Sequence, residues 1–261
     1  VSTIPKLKAA PCLFPLLARS SRVTTAAGGN LPSDNYFEKG SYYYEPFFFA
    51  VLSEFPPDCL ILKLFMINQT QDYFFIGIAG TGMSALAQYL KGIGKKVSGS
   101  DRFFKAGEYN ETRDKLEAAG IQCFEQNGSG ITEKTQCVII SSAIEETVPE
   151  MQKARQHQIP VLKRSELLAE IVISKKTIAI GGTSGKSTTS AMIFDILKYA
   201  GLEPSIISGA GLVSIIKEGK IGNAKVGAGE WLVIEADESD GSIVQYHPEV
   251  GLLLNIDKDH Q

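Results

Sequence analysis

From Tyr73 onward the chain alternates between two kinds of run: short, almost unbroken apolar stretches, and longer ones whose apolar residues return every three or four positions. The first kind predicts strands covered on both faces, the second amphipathic helices. Residues 73–79 read as a strand ending in glycines, 84–93 as a helix, 95–100 as a strand, 113–119 as a helix closed by Gly120, and 136–140 as the next buried strand. Helices at 149–157 and 165–173 flank a short strand at 160–162. A second cycle starts at Lys176, with a strand at 177–180, a loop at 181–185 and a helix at 186–200 ended by Gly201. Residues 231–235 and 250–255 are expected as further buried strands, and 209–229, with six glycines, as turns or a hairpin. Strands alternating with helices imply an α/β fold, paired in parallel through right-handed crossovers.

Residues 1–65 break this pattern. They hold seven of the eleven prolines, three of the 25 glycines and no acidic residue before Asp34, and ten of positions 36–65 are aromatic. With Met66 standing seven residues before the first strand, as a start codon would, 1–65 reads as upstream sequence outside the working protein. An acid-free, basic start is also the composition of organelle targeting by residues 1–33, the minor alternative. The division expected is 1–65 unassigned, 66–172 a first α/β domain, and 173–261 a second, with the polar stretch Ser174-Lys175-Lys176 at their boundary.

Composition narrows the function classes. The 261 residues are 44% hydrophobic and 21% charged, ordinary globular proportions. Lys and Arg number 26 against 29 Asp and Glu, which disfavours a nucleic-acid binder held by phosphate neutralisation. No run of about 18 uncharged apolar residues predicts a membrane-spanning helix. Cys12, Cys59, Cys123 and Cys137 form no C-x-x-C pair and read as free thiols of a reducing compartment; His157, His247 and His260 lack zinc-ligand spacing.

Two glycine loops carry the chemistry. Gly77-Ile78-Ala79-Gly80-Thr81-Gly82 lies between a strand and a helix, where glycine lets phosphate approach backbone N–H groups. Its G-x-x-G-x-G spacing departs from the dinucleotide G-x-G-x-x-G and weakens a nicotinamide reading. Asp101, ending the next strand, is placed to accept from a ribose hydroxyl. The second loop, Gly181-Gly182-Thr183-Ser184-Gly185-Lys186-Ser187-Thr188, follows P-loop logic: glycine amides wrap phosphates, Lys186 neutralises their charge, and the Ser187 hydroxyl is offered to Mg²⁺. It is a variant, since the position five before the G-K pair holds Ile180. Glu235 ends an apolar strand ahead of Asp237, Glu238 and Asp240, and another strand delivers Asp257, Asp259 and His260 to the same edge. Ligands of doubly wound sheets collect beyond the carboxyl ends of strands.

These residues resemble the Mur ligases, ATP-dependent amide-forming enzymes of peptidoglycan precursor synthesis. The resemblance runs from Ile76-Gly77-Ile78-Ala79-Gly80-Thr81-Gly82-Met83 through Ser98-Gly99-Ser100-Asp101, Ser141-Ser142-Ala143-Ile144 and Ser165-Glu166-Leu167-Leu168-Ala169-Glu170 to the P-loop, Glu235-Ala236-Asp237-Glu238-Ser239-Asp240 and Asn255-Ile256-Asp257-Lys258-Asp259-His260. It covers about 73–261 and leaves out 1–65. It implies a Rossmann-like parallel-sheet UDP-binding domain followed by a P-loop-type α/β ATPase domain that is cut short. Among the family's branches the motifs are most similar to the one that joins L-alanine to UDP-N-acetylmuramate, although Ser184 stands where that branch often has His and Ser187 where Thr is commoner.

Carried over position by position, the resemblance gives the UDP-sugar to Gly80, Thr81, Gly82, Met83, Asp101, Ser141 and Ser142. It gives the ATP phosphates to Gly182, Thr183, Ser184, Gly185, Lys186, Ser187 and Thr188. Mg²⁺ goes to Ser187, Glu235 and His260, with Lys186, Glu235 and His260 as the catalytic set. The implied reaction phosphorylates the muramoyl carboxylate and passes the acyl group to L-alanine in the bacterial cytoplasm, with no nucleic-acid or membrane partner. The family pattern runs on past Gln261 into adenine contacts and a domain that presents the amino acid, so the chain is expected to be a fragment that does not ligate alone. Two alternatives stay open: a recycling ligase of the same family that adds a tripeptide, and a non-catalytic nucleotide-sugar-binding module. A nicotinamide oxidoreductase leaves Lys186, Ser187 and Glu235 without work.

Overall fold

A computed structural model of the chain describes residues 69–236 and 246–256, all within the compact unit Pro56–Gln261. The expectations for 1–65, for Asp237, Glu238 and Asp240, and for Asp257, Asp259 and His260 lie outside the described residues.

Among the described residues two five-stranded sheets form. The first contains β1 (Asp72–Ile76), β2 (Lys96–Asp101), β3 (Gln122–Glu125), β4 (Cys137–Ile140) and β5 (Val161–Lys163), in the order β3-β2-β1-β4-β5 with every pair parallel. Its helices are α1 (Thr81–Gly92), α2 (Glu111–Ala118), α3 (Pro149–Gln156) and α4 (Arg164–Ser174). This is the doubly wound order. The direction of winding reverses between β1 and β4, so the loops leaving their carboxyl ends part and open a crevice. After Asp72, β1 is hydrophobic throughout because both its faces are covered. Tyr73 and Phe75 join a core cluster with Leu86 of α1 and Leu168 of α4, while Phe74 and Ile76 pack with Val138 and with Met151 and Ala154 of α3.

The second sheet contains β6 (Lys176–Gly181), β7 (Ser205–Ile207), β8 (Ala224–Lys225), β9 (Trp231–Glu235) and β10 (Val250–Leu253), ordered β10-β6-β9-β7-β8. All pairs are parallel except β7 with β8. The helices are α5 (Lys186–Tyr199) and the single turn α6 (Val213–Ile216). Ile180, Val233 and Ile206 pack against Phe194 of α5 on one face. On the other, Ala179, Leu232 and Ile234 turn toward the cluster that holds Leu86 and Leu168. Helices α1 and α4 therefore lie between the two sheets, and one apolar core runs through both.

The structure departs from the hydrophobic pattern in places. The pattern predicts a buried strand at 250–255, but all four residues of β10 are exposed, with Leu253 at 64%. β10 is an edge strand paired with β6 alone, and its side chains are only partly covered. β3 and β7 carry no clear signal at four and three residues long. The glycine-rich stretch 209–229 holds α6 and β8, the latter turned back on β7. Among the described residues no helix is long and apolar enough to cross a membrane.

Candidate functional site at the meeting of two glycine loops

The first loop leaves β1 at the crevice. The N–H groups of Gly77 and Ile78 both donate to the Ser100 carbonyl, at 2.8 and 3.1 Å, which ties the loop to the end of β2. Asp101, 4% exposed, accepts from the Ala79 N–H at Oδ2 (2.9 Å) and from the Phe103 N–H at Oδ1 (3.0 Å). Each oxygen of this carboxylate is thus engaged by backbone, and its visible work is to clamp the glycine loop in place. α1 opens at Thr81 after Gly80, and no side chain caps it, so its first-turn N–H groups face the crevice with the positive end of the helix dipole. Met83 is 3% exposed with its side chain in the core, which leaves its backbone as the part that can meet a ligand. Ser141 and Ser142 follow β4, the neighbour of β1, on the same sheet edge.

The second loop leaves β6, the strand between β9 and β10. Gly182 has φ 132° and Gly185 φ 86°. Side chains avoid both conformations, and they turn the chain so that Gly185 becomes the N-cap of α5. A Cβ on Gly182 would also come within 3.1 Å of the Asn255 backbone. Asn255 holds the loop from outside: its Oδ1 accepts from the Ser184 N–H and its Nδ2 donates to the Ser184 carbonyl, both at 3.0 Å. Lys186 donates to the Gly182 carbonyl at 2.5 Å, across the loop it closes. Thr188 is exposed in the first turn of α5.

Glu235, at the end of β9, gathers the hydroxyls. Ser187 donates to its Oε2 at 3.1 Å and Ser208 to its Oε1 at 2.5 Å. The result is a cluster of oxygen donors, one carboxylate and two hydroxyls, beside the P-loop lysine. Oxygen ligands of this kind suit Mg²⁺, which completes its octahedron with phosphate and water. Among the described residues no three His, Cys, Asp or Glu side chains converge as a metal site, so the fit rests on Glu235 with Ser187 and Ser208. The remaining expected ligand, His260, lies outside the described residues.

The two loops meet. A cleft of about 230 Å³ is lined by Thr81 and Gly82 from the first loop, Lys186 and Glu235 from the second, and also by Arg164 and Ser208. Sequence reasoning finds the first four and misses the last two, together with Asn223. Arg164 carried a usable signal, because it directly follows β5 and so stands on the ligand-binding edge. Asn223 carried none. It sits in the glycine-rich stretch, is 1% exposed, and spans the sheets by donating to the Thr81 carbonyl (2.8 Å) and Ser84 Oγ (3.0 Å) while accepting from Gln88 (2.7 Å).

A parallel sheet that ends in G-K-S-T at the start of a helix, with a carboxylate from the adjoining strand beside it, defines the P-loop class of α/β proteins. Residues 72–176 match the model of the Mur ligase family, catalytic domain. The chain is 40% identical over 186 residues to the UDP-N-acetylmuramate–L-alanine ligase of Mesorhizobium japonicum and 42% identical over 192 residues to that of Bdellovibrio bacteriovorus. The match places residues 72–176 in the Mur ligase family. Those alignments take in 71% and 74% of this chain but 38% and 40% of the relatives, so the chain spans about two fifths of their length. Among solved structures, it is similar to the UDP-N-acetylmuramate–alanine ligase of Thermotoga maritima, with TM-score 0.64 and 29% identity over 72% of this chain and 42% of that one. It is also similar to the UDP-N-acetylmuramate:L-alanyl-γ-D-glutamyl-meso-diaminopimelate ligase of Neisseria meningitides, with TM-score 0.62 and 28% identity over 73% of this chain and 62% of that one.

Proposed function

We propose that this chain supplies the nucleotide-binding part of an ATP-dependent ligase of peptidoglycan precursor synthesis, one that joins L-alanine to UDP-N-acetylmuramate in the bacterial cytoplasm. Residues 66–172 take the UDP-sugar and residues 173–261 take ATP. One observation carries the reading: a single cleft holds the uncapped start of α1 on one side and Lys186 with the Ser187–Glu235–Ser208 cluster on the other. A phosphate donor and a sugar-linked carboxylate bound at the two loops would meet there.

In the first half-reaction an oxygen of the muramoyl carboxylate attacks the γ-phosphorus of ATP, and the bond from that phosphorus to ADP breaks. In the second, the amine of L-alanine attacks the acyl carbon, inorganic phosphate leaves, and the amine loses a proton. The chain's own residues contribute positioning and charge neutralisation. Backbone N–H groups of Gly182, Gly185 and Lys186 wrap the ATP phosphates, those of Thr183 and Ser184 being held by Asn255, and the Lys186 ammonium opposes the phosphate charge. The Asp101 clamp holds the first loop in the shape that receives the UDP diphosphate, with Thr81, Gly82, Ser141 and Ser142 at the crevice. A hollow of about 280 Å³ beyond β2 and β3, between Arg102, Phe104 and Asn127, is room for the nucleoside end. Mg²⁺ bound by Ser187 and Glu235, with His260 in support, would offset the negative charge of the transferring phosphoryl group.

The choice of L-alanine follows the names of the 40–42% identical relatives. The backbone alone does not favour it, since the likeness to the tripeptide-type ligase is as strong, TM-score 0.62 against 0.64. Isothermal titration of the 261-residue chain with UDP-N-acetylmuramate, and separately with a non-hydrolysable ATP analogue with and without Mg²⁺, tests the proposal. Both ligands are expected to bind, the nucleotide in a Mg²⁺-dependent way, and Glu235→Gln should weaken the Mg²⁺-dependent part roughly 10- to 100-fold. Nucleotide binding indifferent to Mg²⁺, or no heat with either ligand, would sink it.

A further inference from the structure

Asn223 stands outside the lining of the cleft, yet it is hydrogen-bonded to both walls. At 1% exposure its amide donates from Nδ2 to the Thr81 carbonyl (2.8 Å) and to Ser84 Oγ (3.0 Å), and accepts at Oδ1 from Gln88 Nε2 (2.7 Å). All three partners belong to α1, and Thr81 and Ser84 lie in its first turn. The main chain of Asn223 reaches the other way. Its carbonyl accepts from the Ser208 N–H at 2.9 Å, and the Ser208 hydroxyl donates to Glu235 Oε1 at 2.5 Å. Thr81, Ser208 and Glu235 all line the cleft. Three hydrogen bonds in series therefore join the first-loop wall to the carboxylate beside the P-loop, with one buried residue in the middle.

Both arms are packed as well as bonded. The segment that carries Asn223 follows α1 to its last residue, where a Cβ on Gly92 would stand 2.5 Å from Val226 Cγ2. On the other arm a Cβ on Gly209 would stand 3.1 Å from Glu235 Oε2, so the chain after Ser208 closes on the carboxylate. A buried, fully bonded amide holds one arrangement, because any other leaves a polar atom unpaired in the interior. Both amide hydrogens of Asn223 are spent on α1, and the side chain is out of a ligand's reach.

We propose that Asn223 is a positioning residue for both ligands. Its side chain sets the first turn of α1, where the UDP-sugar binds, and its backbone sets Ser208, and so Glu235, where Mg²⁺ and the ATP phosphates bind. The inference rests on the assignment of the UDP-sugar to the first loop and of ATP to the second, and adds to it what fixes their spacing. A reaction between groups on two bound ligands needs that spacing, since a displacement of about 1 Å can cost about 100-fold in rate.

The test measures three affinities on the full chain: UDP-N-acetylmuramate, the non-hydrolysable ATP analogue with Mg²⁺, and the analogue without it. Circular dichroism gives the folded fraction of each variant at the temperature of titration. Asn223→Ala keeps the backbone carbonyl but frees it from α1. It is expected to weaken the first two affinities roughly 3- to 10-fold, the size of one lost hydrogen bond, and to leave the third within about 2-fold. A merely structural role gives another pattern. Loss of folded chain lowers all three by one common factor, and lost stability in a chain that stays folded moves none. Either result overturns the inference while the unsubstituted chain still binds both ligands. Ser84→Ala and Ser208→Ala each cut one arm. The first should weaken UDP-N-acetylmuramate, less than multiplicatively with Asn223→Ala, and the second the Mg²⁺-dependent binding of the analogue. Unchanged affinities in these two variants overturn the inference even where Asn223→Ala does not fold. An Asn223→Ala loss confined to one ligand overturns the two-armed role. An unsubstituted chain that binds neither ligand overturns the site assignment itself.

Discussion

Asn223 offers the sharpest test of how the two sheets are held in register. Its side chain is 1% exposed and makes three hydrogen bonds, to the Thr81 carbonyl, to Ser84 Oγ and from Gln88 Nε2. The pattern also fixes which end of the amide is nitrogen, since the reverse would set two acceptors, Oδ1 and the Thr81 oxygen, face to face. At about 0.5–1.5 kcal/mol for each net bond, truncation to alanine removes roughly 1.5–4.5 kcal/mol. The partners limit the damage. The Thr81 carbonyl keeps the Ser84 hydroxyl at 3.1 Å, and Gln88 keeps the Ser84 carbonyl at 3.0 Å. No group is orphaned, so Asn223→Ala should cost about 2 kcal/mol, in the lower half of that range. Asn223→Asp, nearly the same shape, puts a buried carboxylate against the Thr81 carbonyl and should cost more than the alanine, above about 3 kcal/mol. Urea unfolding followed by far-ultraviolet circular dichroism measures both. An alanine variant within about 0.5 kcal/mol of the unsubstituted chain, or an aspartate variant more stable than the alanine one, would refute the latch.

Gly99→Ala should destabilise by about 1–3 kcal/mol, because its Cβ would lie 2.6 Å from the Phe75 carbonyl and 2.7 Å from Ile78 Cδ1, on a strand with no room to retreat. Gly251→Ala, with nothing within 4 Å, is the matched control and should be neutral within about 0.5 kcal/mol; equal effects at the two positions would contradict the packing. Cys123 and Cys137 are buried free thiols whose ionisation burial pushes from the usual 9.0 up to about 12. Peptide mapping after iodoacetamide at pH 8 should find both unmodified in the native chain and modified once it is unfolded. A raised pKa protects the neutral form, so their share of stability is complete below pH 9 and is lost as pH rises toward 12. A urea midpoint that holds steady or rises through that window would contradict the burial.

What was legible in the chain follows the range of the interaction. The P-loop is local: an apolar strand, two glycines at conformations other residues avoid, then Lys186 and Ser187 at a helix start, all within a dozen residues. Trp231–Glu235 is read to the residue, because its apolar run ends abruptly at a carboxylate. β3 and β7 are too short for a period to register, and their existence depends on β2 and β9 standing ready to pair with them. β10 reads as buried from its leucines. Apolar composition reports what a strand is suited to, while exposure depends on what packs over it.

The residues that shape the cleft divide in the same way. Gly80, Thr81, Gly82, Lys186 and Glu235 announce themselves because backbone phosphate binding and hard-oxygen chemistry demand particular residue types at particular spacings. Arg164 gives only the weak signal of its place after a strand, and Asn223 gives none, since an asparagine among glycines is common in any sequence. Their meaning comes from neighbours 82 and 142 positions away, Gly82 and Thr81. By itself the sequence determined the α/β class, both loops and the side chains suited to phosphate, since those depend on short-range periodicity and on steric rules within a few residues. Only the tertiary structure decided that the loops share one cleft, that Asp101 clamps its own loop, and that Arg164 fills the space beside Gly82. Each of these is a contact between segments whose approach is set by how helices α1 and α4 pack between the two sheets.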